Sequence, residues 1–252
     1  MNTGSLLKVE LLAHTGGELV AALAAKLCYS GADIAELVDK VAPNGLSLSS
    51  DEQASFLEKI ASMGHHSVFE HLSFTFGIEG VSRALTHQLV RHRIASYSQK
   101  SQRYVAHGTK LVGDKQTSFP YIIPPEIAAN DAAITEFNNI MSKIAEGYDK
   151  LAALGIAAED ARYLLPNACE TKIIVTMNAR ELLHFFQVRC CTRAQWEIRE
   201  MATQMLAKAY PIAPSIFSKA GPACVGGACS EGKMSCGKAS EVRQKFVDLL
   251  NS

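Results

Sequence analysis

No apolar run approaches the roughly 18 residues of a membrane-spanning helix, and no charged leader precedes a long apolar stretch at Met1–Glu10. These absences predict a cytoplasmic protein with no membrane partner. Charge of either sign is not in excess: 25 Lys and Arg balance 25 Asp and Glu, which argues against a nucleic-acid coat and for an ordinary soluble globular protein. No Cys-x-x-Cys pair occurs, and seven cysteines, an odd number, fit a reducing compartment better than a disulfide framework. No Gly-x-Gly-x-x-Gly turn is present, so a dinucleotide would not sit on a Rossmann loop. No His-Glu-x-x-His pair is present either, and the zinc reading of the histidines fails on spacing. No Pro/Gly/Ser linker divides the 252 residues. One domain over 1–220 followed by a Gly/Cys-rich tail over 221–252 is the expectation.

One absence is local. Between Gly80 and Gly113 there is no Asp or Glu, yet the window carries Arg83, Arg91, Arg93, Lys100, Arg103 and Lys110, with His87, His92 and His107. In a charge-balanced chain this is a local trap for anions. At its centre, Arg91-His92-Arg93 offers two planar guanidinium forks of the shape that matches phosphate. The bland reading of such a tripeptide is a solvated basic face. Ser98, Ser101 and Arg103 tip the balance, adding hydroxyl donors and a further fork in one turn-rich segment.

Taken in order, Leu6–Leu12 reads as a strand and Gly17–Tyr29 as a helix. A short helix near Ala32–Val41 and a turn at Pro43-Asn44-Gly45 follow. Ser50 is placed to cap a helix that ends at Met63-Gly64. Gly64–His71 crowds three histidines, a serine and a glutamate into eight residues and, on its own, reads as a polar loop. Leu72–Ile78 alternates as a half-buried strand. Val81–Val90 reads as a helix with Gln88 projecting onto its apolar face, either to bond backbone or to meet a ligand. Glu126–Leu154 reads as one long scaffold helix. In Ala158–Pro166 the default partner of Arg162 is Glu159.

Thr171–Met177 reads as a strand, and Asn178 as the cap of the helix that follows. On that helix Leu182, Phe185, Phe186 and Arg189 share one stripe. An arginine on an apolar stripe needs an acidic or ligand partner. Arg180 and His184 fall together on the opposite side, able to serve a second ligand. Gln195–Ala209, with Trp196, Ile198, Met201 and Met205, reads as a last amphipathic helix, core or subunit interface. Cys224, Cys229 and Cys236 are spaced by five and seven residues. They read as free thiols, with a thiolate site completed by Cys190 or Cys191 as the other reading.

Two blocks carry a resemblance. Arg91-His92-Arg93, seven residues, then Ser101-Gln102-Arg103 is similar to the signature of the flavin-dependent thymidylate synthases. Asn178-Ala179-Arg180, with Arg189 eleven residues after the asparagine and then Ala194-Gln195-Trp196-Glu197-Ile198-Arg199, resembles the second block of that family. The likeness runs in order from about Leu6 to Ala220.

The resemblance implies an α/β (α+β) subunit, a long-stranded sheet flanked by helices, in a homotetramer with sites shared between subunits. It implies conversion of dUMP to dTMP with FAD as cofactor, 5,10-methylenetetrahydrofolate as carbon donor and NADPH as reductant. Ser101, Gln102, Arg103 and Arg162 are then expected at the nucleotide, with Gln88 and Arg91 reaching it from a neighbouring subunit. Ser67, Arg91, His92, Arg93, Gln99, Asn178, Arg180 and His184 are expected at the flavin, Gln99 also at the substrate, and His65 beside Ser67. His184 stands where the family often has asparagine. Arg189 is expected beside the uracil as the catalytic electrostatic group. No metal is expected. The rival readings are a nucleic-acid or polyphosphate binder, using window 80–113 with Tyr97 and Tyr104 for stacking, and a thiolate-metal structural protein.

Overall fold

The computed structural model describes residues 7–41, 51–104, 110–112, 115–117 and 119–251. Leu6, Pro43-Asn44-Gly45, Ser50 and His107 lie outside the described residues. The chain combines helices with a four-stranded antiparallel sheet. The strands are β1 (Lys8–His14), β2 (Ser73–Ser82), β3 (Ala95–Gln99) and β6 (Glu170–Asn178), in the order β1-β2-β6-β3. A separate pair, β4 (Lys110–Val112) and β5 (Lys115–Thr117), forms a short antiparallel ladder. Every second residue of β2 from Phe74 to Gly80 is buried, and β6 alternates likewise. That period of two is what a sheet with one covered face requires. On the less buried face the two strands pair polar groups: the Thr75 and Thr176 hydroxyls at 2.9 Å, and Lys172 Nζ with Glu79 at 2.6 Å.

Contacts divide the chain into two units. One unit holds Ile78–Arg91 and Ser98–Ile174, with α4 (Arg83–Leu89), α5 (Pro125–Ala128), α6 (Asp131–Ala153) and α7 (Ala158–Ala161). Phe119, Tyr121, Met141, Ala145 and Cys169 form a core cluster there. Ser82 caps α4 by accepting from Leu85 N at 3.0 Å. The expected single helix over Glu126–Leu154 is in fact two. Asn130 leaves the helical conformation and its side chain accepts from Ala133 N, so it caps α6 afresh.

The other unit holds Val9–Gly77, His92–Tyr97 and Val175–Ser252. It contains α1 (Glu18–Leu27), α2 (Ile34–Val41), α3 (Asp51–Ser62), α8 (Ala179–Arg189), α9 (Trp196–Ala209), α10 (Pro214–Phe217), α11 (Ala223–Gly226) and α12 (Ala239–Leu250). Phe74 of β2 meets Phe217 of α10 edge to face, and Phe217 meets Phe186 of α8 in the same way. Each such fully buried ring removes enough apolar surface to stabilise by about 1.5–3 kcal/mol. The carboxylate of buried Glu18 accepts from Ser215 N at 2.6 Å, Ser215 Oγ at 2.9 Å and Ile216 N at 3.2 Å, satisfying the first turn of α10. Helix α9 is not the last. Beyond it α12 buries Val242 and Phe246, and Arg243 donates to the carbonyls of Cys224 and Gly227.

Gly64–His71 is not a loop. After Gly64, at φ 76°, residues His66–His71 wind as a 3₁₀ helix that buries Val68 and Phe69 and leaves Ser67 exposed. The apolar pair at i, i+1 outweighs the polar neighbours, because it fits the packing against α1 and α8.

Candidate active site

In the second unit, helix α8 is the organising element. Asn178 accepts from Glu181 N at 2.8 Å, so the asparagine carbonyl starts the helix as its sequence suggests. Positions 181, 185 and 189 then follow at four-residue intervals on one face. Phe185 is fully buried and Glu181 is 7% exposed. Against this face lies His92, also 7% exposed, its ring edge-on to Phe185 with centroids 4.9 Å apart.

His92 uses both ring nitrogens. Its Nδ1 is 3.1 Å from Glu181 Oε1, and its Nε2 is 3.0 Å from Arg189 Nε. A guanidinium N–H can only donate. Nε2 therefore accepts, the ring is neutral, and Nδ1 carries the proton that goes to the Glu181 carboxylate. Burial lowers the His92 pKa, the bond to Glu181 opposes that, and the nearby Arg189 and His184 lower it further. Burial also lowers Arg189 from the usual guanidinium value. Tyr97 donates to the His92 carbonyl at 2.7 Å, and its own ionisation is pushed up by burial and by Glu181.

The arginine on the stripe thus meets a histidine backed by an acid, where the sequence suggested an acid or ligand directly. Glu181 was missed. Its signal was available in the wheel, since it shares the i, i+4, i+8 line with Phe185 and Arg189.

Arg180 and His184 are both exposed, but His184 is not on a separate side as the wheel implies: its ring lies 5.8 Å from that of His92, which Arg189 bonds. Arg180 pairs with Glu70 of the 3₁₀ helix, both about half exposed. Such a pair is worth little in water, roughly 0–1 kcal/mol. His65, Ser67 and Arg93 are exposed in this unit too.

The first unit gathers the other candidates. Gln99 donates to the hydroxyls of Thr86 at 3.1 Å and Thr171 at 3.3 Å, which fixes the end of β3. Ser101 Oγ accepts from Arg103 N at 3.1 Å, and the Arg103 guanidinium lies 5.1 Å from the centre of the Tyr104 ring. Gln102 donates to the buried Cys169 thiol at 3.6 Å. Burial raises the Cys169 pKa to about 11 despite Gln102, Lys100 and Arg83 nearby, so it is a thiol and no nucleophile at neutral pH. Arg83 is lowered by burial, opposed by Cys169 and lowered again by Arg162. Arg162 does not form the expected ion pair: its Nε donates to the Glu159 carbonyl at 3.0 Å, within the bend that ends α7. Gln88 is half-buried and Arg91 exposed.

The rival surfaces fare differently. Tyr97, half-buried and bonded through its hydroxyl, is no open stacking platform. In the tail, Cys224 is raised by burial and then by its neighbour Cys229, with Cys191 and Cys236 contributing. Even so, among the described residues no three His, Cys, Asp or Glu side chains assemble into a metal set. Among them, too, no helix is long and apolar enough to cross a membrane.

The family described as Thymidylate synthase complementing protein matches residues 10–215. Among curated relatives, flavin-dependent thymidylate synthase of Geobacter sulfurreducens is 53% identical over 96% of this chain and 99% of its own. The proteins of that name from Clostridium tetani and Pyrococcus horikoshii are 49% and 40% identical, covering 95% and 97% of this chain and 97% and 99% of theirs.

Proposed function

Given that the chain belongs to the flavin-dependent thymidylate synthase family, we propose how its own residues divide the work. It is an FAD-dependent enzyme that methylates dUMP to dTMP with a folate carbon donor. NADPH as the reductant, a homotetramer with shared sites, and a cytoplasmic setting complete the reading. Residues 1–220 form the synthase domain and 221–252 its Gly/Cys-rich tail.

One observation carries the assignment of chemistry: Arg189 is held beside a buried, neutral His92 at the end of an apolar stripe. A half-buried, partly desolvated cation stabilises negative charge more than it would in open water. The charge in question develops on the uracil ring when its carbon becomes nucleophilic. Arg103, Ser101 and Arg162 take the nucleotide phosphate, Gln99 and Gln102 also meet the nucleotide, and Gln88 and Arg91 are supplied from a neighbouring subunit to a shared site. Support for that sharing comes from Val90 and Ile94, 43% and 65% exposed, apolar side chains bracketing Arg91-His92-Arg93 that a partner surface would cover.

The donor set suits the flavin cofactor. Arg93, Arg180, His184 and Ser67 are exposed donors in one unit, matched to an anionic pyrophosphate. Asn178 keeps its amide donor while its carbonyl caps α8, and Arg91 adds a further fork. When bound, FAD supplies hydride chemistry that no side chain can perform. The test is direct: the purified protein should be yellow and oxidise NADPH faster when dUMP is added. A colourless protein indifferent to dUMP would contradict the reading.

A further inference from the structure

The second unit contains a positioning group that the family signature does not include. We propose that Glu181 positions Arg189 for catalysis by acting through His92, so that His92 serves as a relay inside the protein. The inference rests on the reading of Arg189 as the group beside the uracil. It follows from four named atoms and two distances. Glu181 Oε1 takes the Nδ1 proton at 3.1 Å, leaving Nε2 bare, and bare Nε2 accepts from Arg189 Nε at 3.0 Å.

The geometry is selective for one arrangement of protons. The other neutral tautomer would put an N–H on Nε2, facing the N–H of Arg189 Nε and leaving Nδ1 unprotonated before a carboxylate. Doubly protonated imidazole would add a cation against a cation. Only the Nδ1–H form satisfies all three groups. Because both ring nitrogens are engaged and the ring is nearly inaccessible, its proton arrangement is set by this contact. Anchoring at Nε fixes the plane of the guanidinium, which decides where its fork meets a ring oxygen.

The groups facing His92 are Glu181, Arg189, His184 and Phe185 from α8, and Tyr97 from β3. Of these, Glu181 is the one that supplies an acceptor to Nδ1. The same logic makes outer partners of metal-bound histidines matter, where their loss costs about 10–100-fold.

The experiment compares Glu181→Gln, Glu181→Leu and Arg189→Lys with wild type in the FAD-loaded enzyme, and reads His92 by ¹⁵N NMR. Glu181→Gln keeps shape but loses the charge that fixes the tautomer. It should mix Nε2–H into the His92 signal, lower kcat for dTMP about tenfold, and leave flavin content and the KM for dUMP within about twofold. Its acid limb should move to lower pH, since the carboxylate that favours His92 protonation is gone. Glu181→Leu should lower kcat further if it folds. A pure Nδ1–H signal and wild-type kcat in Glu181→Gln, beside a crippled Arg189→Lys, overturn the relay alone. Wild-type kcat in Arg189→Lys overturns the reading of the site and the relay with it.

Discussion

Arg189 Nε lies 3.0 Å from His92 Nε2, so the arginine on the apolar stripe of α8 is bound to a neutral ring whose far side meets an acid. Everything that changes the protonation of that ring changes the arginine.

The first consequence is a pH dependence. Burial depresses the His92 pKa below its ordinary 6.5, so the unfolded chain takes up a proton before the folded one does. This contribution to stability is complete above about 6.5, is lost progressively as pH falls toward the folded-state value, and changes no further below it. Protonation also removes the acceptor from Arg189. The kcat for dTMP should therefore show an acid limb below 6.5 that His92→Gln abolishes, measured at saturating dUMP. An acid limb unchanged in His92→Gln would assign it to another group.

The flavin side is tested through Arg180. Its exposed partner Glu70 contributes little to the fold, so Arg180→Ala should keep its melting temperature within a few degrees. Bound FAD after gel filtration should fall several-fold. Full occupancy would remove Arg180 from the flavin site.

The phosphate side is tested through Arg103, exposed at the end of the Ser101-Gln102-Arg103 turn. Loss of a charge-assisted pair that leaves the ligand charge unpaired costs about 2–5 kcal/mol. Arg103→Ala should lose affinity for dUMP on that scale and little for uncharged deoxyuridine, read by calorimetric titration. Equal losses would indicate a disturbed fold.

How much of this was legible in the sequence differs by kind of signal. Period-two alternation announced β2, the β-branched run at Thr171–Met177 announced β6, and Asn178 announced its own helix cap, because these depend on neighbours in the chain. The wheel set Arg180 and His184 together opposite Arg189, yet the fold brings the His184 ring to 5.8 Å from the His92 ring that Arg189 bonds. The partner of Arg189 was not legible, since His92 is 97 residues away and only the fold brings it there. The resemblance instead placed His92 among the flavin's donors, whereas the fold buries it and turns both its ring nitrogens to Glu181 and Arg189. Arg162 misled through its spacing: i, i+3 from Glu159 implies an ion pair only on a continuing helix, and here α7 ends one residue earlier. The break at Asn130 was a cap signal hidden inside a strongly helical composition.

The segment after α10 can be tested for its contribution to stability. Gly221 has φ 133°, and a Cβ there would stand 2.9 Å from Phe246 Cδ1, a ring buried at the centre of α12. Gly221→Ala must strain the backbone and displace the ring, at a combined cost of about 2–5 kcal/mol. The melting temperature should fall by several degrees or more, with the dUMP affinity of the folded fraction retained. An unchanged melting temperature would mean that α12 contributes nothing to the stability of the unit.

The central claim is that the charge held at Arg189 acts on the reacting ring, and Arg189→Lys measures it most directly. Lysine keeps the charge but has no planar fork and no Nε–H to place against His92. Flavin content, NADPH oxidation and dTMP formation are to be measured on the same preparation. The account predicts a folded, yellow enzyme that still oxidises NADPH while dTMP formation falls roughly 100-fold or more, the scale of losing one preorganised donor. Wild-type dTMP formation would contradict it and leave Arg189 as a structural partner of His92.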